Sequence, residues 1–577
     1  MNQNFAKKFL TVLLCCMTVL GILFFVGCKP TVEPSDPTGT GGNEGPGGNE
    51  GTGDNTGTGG NGSPGGMTPP PVENKLFLFD QEMNPKYESQ TKALDTIFNP
   101  DELGELVLVF DRSEWNRHLY YCDYDLKHED SVHAKGFYFK KDNKEWFFKD
   151  IGFRIRGNSS RRRPQEGNGV GNNDYVQAHF ALDFEEWTPK GVDKKLADSM
   201  KGVILKRFKD DPTYSREIYS YNLFRKNGIW IAPRASYTTL KIQIVDDLDL
   251  DKDGDKTEYE TVNYGVYGMI EEIKKQFLKE RTKEGEFSNH KGNLWKCLGA
   301  NFKDTSSIGE EDVRFEKDEN GDITNFVRET FAYDYKSDNF DSARTQLLDF
   351  IKELNELPNC TDGNNDEADI ETIKNFYTQR MDGDLFLRTY AINVILGMWD
   401  DYWINNNNYY FYFDKDTGKA YFIPYDYDNS LGVSHLGVDA GTHNPLKWGN
   451  LTDGNHPLIQ KILQVPEYMD LYKNYLLEYS DANSHFDDDN SIAQITEWQE
   501  MIKPYINSPN LRYHDTTSTL EDKSATESWA DTYRDYKLTT PGRMNYFTVR
   551  QKAIKACINP SDESSGTVHL LWHQFPY

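Results

Sequence analysis

The chain has 577 residues, a formal net charge of −28 and 14% aromatic residues. This length predicts roughly two to four domain-sized units or one large two-lobed body. The acidity excludes a nucleic-acid partner, because proteins that bind nucleic acid present a basic face.

The N-terminus has the order of a bacterial lipoprotein signal. Lys7 and Lys8 begin it, an apolar run follows, and Gly27 and Cys28 close it. The pattern predicts lipidation of Cys28, which would anchor the chain to the membrane. Phe25 stands where Leu is commoner, and the apolar run approaches the roughly 17–25 residues that span a bilayer. An uncleaved membrane anchor is therefore the alternative, and both readings predict an extracytoplasmic protein of the cell envelope or surface.

Four regions follow from composition. We predict a signal peptide (1–28), a Gly/Pro-rich disordered linker (29–74), a sheet-rich N-terminal lobe (75–290) and a helix-rich C-terminal lobe (291–577). The linker has almost nothing apolar to bury and predicts a flexible tether. Beyond it lie Cys122, Cys297, Cys360 and Cys557. Their wide spacing excludes a zinc ribbon, and one or two disulfides of unassigned pairing fit an exported protein.

The N-terminal lobe shows mainly strand patterns. Strands are predicted in "LGELVLVF", "VQAHFALDF", "KGVILKRF", "SYTTLKIQIV" and "ETVNYGVYGMI", and "AKGFYFKKDNKEWFFKDIGFRIRG" predicts a hairpin that turns at Asp142-Asn143. Helical spacing appears in "RSEWNRHLYYC" and in "TYSREIYSYNLFRKNGI", which ends at Asn227-Gly228. The C-terminal lobe has helical periodicity, interrupted by a hairpin that turns at residues 416–418.

The strongest functional pattern is "GMWDDYWINNNNYYFYFDKDTGKAYFIPYDYDNSLG", residues 397–432. Its order is a helix, a loop with Asp, an Asn cluster, a hairpin and Asp-x-Asp, and this order is typical of phosphotransferase cores. Carboxylate and amide oxygens are the ligands that Mg²⁺ or Mn²⁺ prefers. The pattern therefore predicts a divalent cation that carries ATP. The alternative is an acidic hairpin with solvated ends.

This block resembles the spore-coat protein H (CotH) kinase-like family over roughly residues 100–435. Three further stretches carry the resemblance: "IGFRIRGNSSR", "LKRFKDDPTYSREIYSYNLFRKNGI" and "NYGVYGMIEEI". The resemblance implies an α+β, atypical two-lobed protein-kinase-like fold. It also implies transfer of phosphate from ATP to protein.

The resemblance places nucleotide-binding residues in three stretches. The turn predicted to cover the phosphates contains Arg156, Gly157, Asn158, Ser159, Ser160 and Arg161. Lys206 is the candidate partner of the phosphates and of Glu217, while Glu271 is expected near the hinge between the lobes. Lys201, Arg207 and Lys209 are rivals of Lys206. Many family members also have a lysine pair where this chain has Gln177 and His179.

The resemblance also assigns the catalytic and metal positions. Asp400 would accept or orient the hydroxyl proton, with Asp401 as the immediate rival. Asn408 or Asn405 would meet the metal. Asp426 would bind it after the hairpin, and Asp428 would bind a second ion or brace the loop.

A separate stretch, "DLDKDGDKTEYE", fits a calcium-loop pattern. Its ligand positions are Asp249, Asp251, Asp253 and Glu260. Lys256 departs from the pattern, and the flanks predict strands rather than helices. We expect either a hairpin tip that binds Ca²⁺ or a solvated acidic loop.

Two functions fit these observations. The first is an exported, lipid-anchored kinase that transfers the γ-phosphoryl group of ATP to Ser/Thr hydroxyls of an unidentified protein substrate. The second follows from the scarcity of ATP outside the cytoplasm. It is a non-catalytic cell-surface protein that retains the fold and binds a polysaccharide or protein partner.

Overall fold

The computed structural model describes ten stretches of the chain. They are residues 90–166, 175–187, 200–247, 258–360, 366–434, 439–449, 456–508, 510–513, 520–525 and 536–559. Within these stretches, no helix is both long and apolar enough to cross a membrane. Cys28, the tether and the three aspartates of the predicted calcium loop lie outside the described residues.

The strands fall into one barrel and several smaller sheets. Their bounds are β1 Leu103–Asp111, β2 Val132–Lys141, β3 Lys144–Arg156, β4 Tyr175–Val176, β5 His179–Asp183, β6 Gly202–Lys206, β7 Ala235–Asp247, β8 Glu258–Ile270, β9 Asn293–Cys297, β10 Ile308–Gly309, β11 Asp312–Lys317, β12 Ile323–Glu329, β13 Tyr333–Tyr335, β14 Tyr409–Phe413, β15 Ala420–Pro424 and β16 Leu511–Tyr513.

The α-helices alternate with these strands and dominate the C-terminal half. Their bounds are α1 Gln90–Ile97, α2 Arg112–Tyr124, α3 Arg216–Lys226, α4 Lys275–Lys283, α5 Phe340–Glu356, α6 Glu367–Gln379, α7 Gly383–Leu396, α8 Tyr402–Asn405, α9 Pro457–Ile462, α10 Pro466–Ser480, α11 Asp488–Ile506 and α12 Tyr546–Ile558. This mixture of helices and sheets confirms the predicted α+β class.

Seven strands close into a barrel in the order β1-β2-β3-β5-β6-β8-β7. The β2–β3 hairpin turns at Asp142-Asn143 as predicted, and both residues have positive φ, 48° and 58°. Cross-strand aromatic pairs such as Phe137–Phe148 fill the interior, because alternate residues of a strand point to the same face. The parallel pairing of β1 with β7 closes the barrel.

A five-stranded sheet has the order β10-β13-β9-β14-β15. The predicted hairpin of residues 409–424 forms its β14–β15 edge. A large core joins one face of this sheet to the helices and includes Trp295, Phe350 and Phe411. Helix α3 follows β6 in the chain, and its residues Ile218, Tyr221 and Phe224 belong to the same core. The end of barrel strand β6 is thereby held close to the segment that follows β15.

The four cysteines beyond the linker are free thiols in the structure, three buried and Cys557 half-buried. Burial raises the pKa of Cys122 to about 12. None of the four forms the disulfides that the sequence left open.

Candidate active site

Lys206 lies at the centre of an ionic cluster. Strand β6 ends at this residue, and α3 brings Glu217 to it, with 2.6 Å between Lys206 Nζ and Glu217 Oε2. Both residues are buried, at 7% and 6% exposure. The second oxygen of the glutamate, Glu217 Oε1, is also buried and has no hydrogen-bond partner among the described residues.

The segment after β15 adds two carboxylates to the same ammonium. Lys206 Nζ donates to Asp426 and lies 3.5 Å from Asp428 Oδ2. Asp426 has a left-handed backbone with φ 62°, a conformation that clusters at functional sites. Its N–H donates to the Tyr221 hydroxyl of α3 at 2.9 Å. The structure therefore brings together four residues that the sequence assigned to nucleotide and metal.

Negative charge exceeds positive charge in this cluster. Burial and the other carboxylates raise the pKa of Glu217 to about 7 and that of Asp428 to about 6. Burial opposes ionisation of Asp426 as well, but the adjacent Lys206 ammonium outweighs it and lowers the Asp426 pKa. One ammonium does not neutralise three carboxylates, of which Glu217 is buried and Asp426 and Asp428 are partly exposed, so the cluster has the charge that favours an added cation.

Asp400 lies in the loop between α7 and α8, where three asparagine side-chain amides donate hydrogen bonds to its carboxylate. Asn405 Nδ2 donates to its Oδ1 at 2.5 Å, Asn407 Nδ2 to the same oxygen at 3.2 Å, and Asn408 Nδ2 to its Oδ2 at 2.9 Å. Burial raises the pKa of Asp400, and Asp426 adds to this shift. The two predicted Asn candidates therefore both touch Asp400, but Asn408 is buried whereas Asn405 is exposed.

The rival Asp401 has a different surrounding. It caps α8 by accepting from the Ile404 N–H at 2.8 Å, and its Oδ2 accepts from Asn393 Nδ2 at 2.5 Å and Trp448 Nε1 at 3.2 Å. Burial raises its pKa to about 8. With three donors engaged inside the core, Asp401 holds the loop that presents Asp400.

Glycine backbone geometry and the hydrogen bonds of one arginine fix the shape of the predicted phosphate-covering turn. Gly157 has φ 116°, and a Cβ there would lie 2.7 Å from Ser160 Oγ, so the turn requires glycine. Arg161 is tied to the Gly157 carbonyl at 2.5 Å, the His128 carbonyl at 2.6 Å and Glu129 Oε1 at 2.8 Å. Arg161 therefore holds the turn in shape.

The other residues of the turn are more accessible. Asn158 and Ser159 are exposed, and Lys127 Nζ donates to Asn158 Oδ1 at 2.9 Å. Arg156 donates to the Tyr425 hydroxyl, and its guanidinium carbon lies 5.6 Å from the Tyr425 ring centre. Because Tyr425 precedes Asp426, this contact places the start of the turn beside the carboxylate cluster.

Glu271 occupies a separate ionic cluster where the chain leaves the barrel after β8. Arg281 meets it through two contacts of 2.5 and 2.9 Å, and Arg234 lies 3.3 Å away. Although burial opposes ionisation, Arg281 and Arg234 lower the pKa of Glu271 to about 2. Glu271 thus lies at the junction between the barrel and the following elements, where the sequence predicted a hinge.

The lysines that rival Lys206 have partners elsewhere. Lys201 pairs with Glu185 at 2.5 Å and Lys209 with Asp210 at 2.7 Å. Of the four basic residues considered for this position, Lys206 is the one paired with Glu217.

Two further differences from the family pattern involve buried polar side chains. Gln177 donates to the Tyr264 carbonyl at 2.7 Å, and His179 Nδ1 accepts from the Arg207 N–H at 3.2 Å. Both side chains are thus used within the barrel.

Glu260 is the member of the calcium loop that the structure describes. Its Oε1 lies 2.6 Å from Arg112 and accepts from the Tyr175 hydroxyl, also at 2.6 Å. The calcium loop itself stays a prediction.

Sequence reasoning missed Lys296, a cation close to the cluster. It lies on β9, in a five-residue strand with no recognisable motif. Its charge contributes to the lowered pKa of Asp426. The one signal in the sequence is the short alternation in "NLWKC", which predicts a strand. It does not indicate which strands or side chains lie next to it in the fold.

Comparison with known proteins agrees with the resemblance. The family model described as CotH kinase protein matches residues 153–540, which is more than half of the chain and includes Lys206, Asp400 and Asp426. No protein in a search of curated sequences matches the chain.

Proposed function

Because the chain belongs to the CotH kinase protein family, we propose that it is an ATP-dependent kinase that phosphorylates Ser/Thr hydroxyls of a protein. One observation carries the proposal. A buried lysine from a barrel strand meets a glutamate of the next helix at 2.6 Å and the aspartate after the C-terminal hairpin. Kinases use this lysine, glutamate and aspartate combination to hold ATP and its metal.

The residues present fit a divalent cation. Asp426, Asp428 and Asp400 are close enough to perturb one another's ionisation, and Asn408 adds an amide oxygen. Hard cations such as Mg²⁺ or Mn²⁺ take ligands of this kind. A bound ion would neutralise charge on the phosphates during transfer. Asp426 and Asn408 would hold it, and Asp428 would bind a second ion or brace the loop.

Asp400 is positioned for the acceptor hydroxyl. The amides of Asn405, Asn407 and Asn408 orient its carboxylate. The negative charge of Asp426 opposes its ionisation and so adds to its raised pKa. A raised pKa brings a carboxylate closer to the range in which it exchanges a proton with a hydroxyl. We assign it the role of accepting or orienting that proton.

The barrel and the C-terminal sheet with its helices would correspond to the two lobes of an atypical kinase-like fold. Lys206 comes from the barrel, whereas Asp400 and Asp426 come from the C-terminal half. Arg156 and the Gly157 turn lie at the end of β3 and would cover the phosphates. Glu217 and Glu271 would position the nucleotide site indirectly, through Lys206 and through the junction after β8.

Export and anchoring are part of the same proposal. The N-terminal pattern supports lipidation at Cys28, with the tether holding the enzyme off an envelope membrane. The cell-surface binding protein is the competing function, because ATP is scarce in that location.

The test uses the soluble body with Mn²⁺ and labelled ATP, and casein as a generic acceptor. We expect labelling of the protein itself or of casein, and a loss of at least about 100-fold in Asp426→Asn, because an electrostatic contact to the transferring group is removed. Asp416→Asn, at the tip of the same hairpin, is the matched control and should retain activity. ATP should also raise the melting temperature.

The competing function predicts other results. If no label transfers with Mg²⁺ or Mn²⁺, ATP leaves the melting temperature unchanged, and Ca²⁺ or a glycan raises it, then the chain is a binding protein.

A further inference from the structure

Lys296 lies on β9, and its side chain points to the face of the five-stranded sheet opposite that of Trp295. It pairs in register with Tyr410 of β14 and Asp334 of β13, and directly opposed residues point to the same face. Its neighbour Trp295 is fully buried in the core on the other face. Lys296 itself is only half-buried.

Charged residues surround this ammonium, yet they are engaged with each other. Lys336 pairs with Asp334 at 2.5 Å and with Glu311 at 3.0 Å. Glu129 pairs with Arg154 at 3.1 Å and with Arg161 at 2.8 Å.

Lys296 is the exception in this group. Among the described residues, none forms a hydrogen bond or ion pair with its ammonium. Burial lowers its pKa, and the carboxylates of Glu311 and Glu129 offset this shift only in part. A partly buried ammonium without a hydrogen-bond partner is destabilising, and a bound anion would reduce that cost.

The position of Lys296 relative to the active site indicates which anion. Lys296 is in register with Tyr410, whose ring centre lies 5.1 Å from that of Tyr425. Arg156 donates to the hydroxyl of the same Tyr425, the residue that precedes Asp426. Arg156 belongs to the turn assigned to the phosphates. An anion near Asp426 would therefore lie within reach of a cation from the barrel and a cation from the sheet.

We propose that Lys296 binds the phosphate chain of the nucleotide from the sheet side of the cleft, opposite Arg156. This inference rests on the proposed kinase function, because it needs ATP in that cleft. Phosphate is the anionic part of ATP, and a lysine contacts it as a point charge through several donors. The cleft would thus recognise the phosphates with three cations from three elements: Lys206, Arg156 and Lys296.

The first test measures binding rather than catalysis. Calorimetry with Mn²⁺ compares ATP with adenosine in wild type, Lys296→Gln, Lys296→Arg and the control Lys291→Gln, which changes an exposed lysine just before β9. We expect Lys296→Gln to weaken ATP binding at least about 10-fold, as for a lost charge-assisted contact, while adenosine binding is unchanged. Lys296→Arg and Lys291→Gln should stay close to wild type.

Three results would overturn the proposal. ATP affinity equal to wild type in Lys296→Gln would show that no phosphate contact exists. An equal loss for ATP and adenosine would place the lysine on the nucleoside or in the structure. If wild type binds neither ligand, the kinase function fails together with this inference, whereas in the first two cases it stands.

A second test needs no variant. An amine-reactive acylating reagent is applied to wild type at limiting concentration, and labelling at Lys296 is followed by mass spectrometry. We expect ATP with Mn²⁺ to slow labelling of Lys296 several-fold and adenosine to leave it unchanged. Equal labelling with and without ATP, under conditions where calorimetry shows ATP bound, would contradict the proposal.

Discussion

Two ionic clusters in this protein differ in charge balance. Around Glu271, the two guanidiniums of Arg234 and Arg281 face the carboxylates of Glu271 and Glu284, and the pKa of Glu271 falls to about 2. Around Lys206, three carboxylates share one ammonium, and burial raises the pKa of Glu217 to about 7.

The difference separates structure from function. In a cluster whose positive and negative charges balance, each charge already has a partner, so the cluster supports the fold and needs no ligand. An unbalanced cluster has neighbouring carboxylates that oppose each other's ionisation, and an added cation relieves that opposition. Perturbed groups in a cleft therefore mark a candidate site, whereas the depressed pKa of Glu271 marks an ion pair.

The largest effect on stability is expected at the balanced cluster. Glu271→Ala leaves the buried Arg281 guanidinium without its carboxylate and leaves Arg234 with Glu284 alone, and we expect the free energy of unfolding to fall by about 3–5 kcal/mol. Denaturant unfolding at pH 7 measures it. The matched control is Glu272→Ala, which removes a partly solvated pair with Lys274 and should cost at most about 1 kcal/mol. Equal effects of the two substitutions would contradict the structural role of Glu271.

Local signals in the sequence predicted much of this arrangement. The Asp142-Asn143 turn and the hairpin of residues 409–424 depend on turn residues between alternating strands, and both form as expected. Lys206 and Glu217 lie 11 positions apart, on a strand and the helix that follows it. Short-range patterns could therefore place them together.

Contacts between distant segments could not be read in the same way. Closure of the barrel by the parallel β1–β7 pair joins residues more than 130 positions apart, and no local pattern specifies that pairing. Asp400 and Asp401 are adjacent and chemically identical, so only their surroundings distinguish them. Arg161 looked like a phosphate ligand because the hydrogen bonds that tie it to its own turn are invisible in sequence.

A buried histidine outside both clusters sharpens the comparison. His128 is fully buried, and burial lowers its pKa to about 4. Between pH 6.5 and 4 the unfolded chain binds the proton more readily, so stability is lost as pH falls through this window. The loss for this group should reach about 3 kcal/mol at pH 4, at 1.36 kcal/mol per pKa unit.

The substitution His128→Phe tests this expectation. Phe keeps the stacking with Phe315 but does not titrate, so the variant should lose less stability than wild type between pH 6.5 and 4. Melting temperatures across this range measure the difference, and the pH 7 value of each protein is its own reference. Parallel curves for the two proteins would show that His128 is not the group responsible.

The smallest expected change in stability is that of Glu217→Gln, and its sign distinguishes a cation site from a structural ion pair. Glu217→Gln removes one carboxylate from the unbalanced cluster, the counterpart of the loss at Glu271. A raised carboxyl pKa means that the folded protein keeps its proton longer than the unfolded chain, so stability declines as pH rises from about 4.5 to about 7. Above pH 7 the ionised Glu217 is unfavourable, and the neutral amide avoids this cost.

At pH 8 in EDTA we therefore expect Glu217→Gln to be as stable as wild type or more stable by about 1 kcal/mol, although phosphate transfer should fall because Lys206 loses its helix partner. Thermal unfolding and the labelled-ATP assay on the same preparation separate the two effects. A strong destabilisation, similar to that of Glu271→Ala, would mean that the Lys206 cluster is complete without a metal. The distinction between a structural ion pair and a cation site would then not hold in this protein.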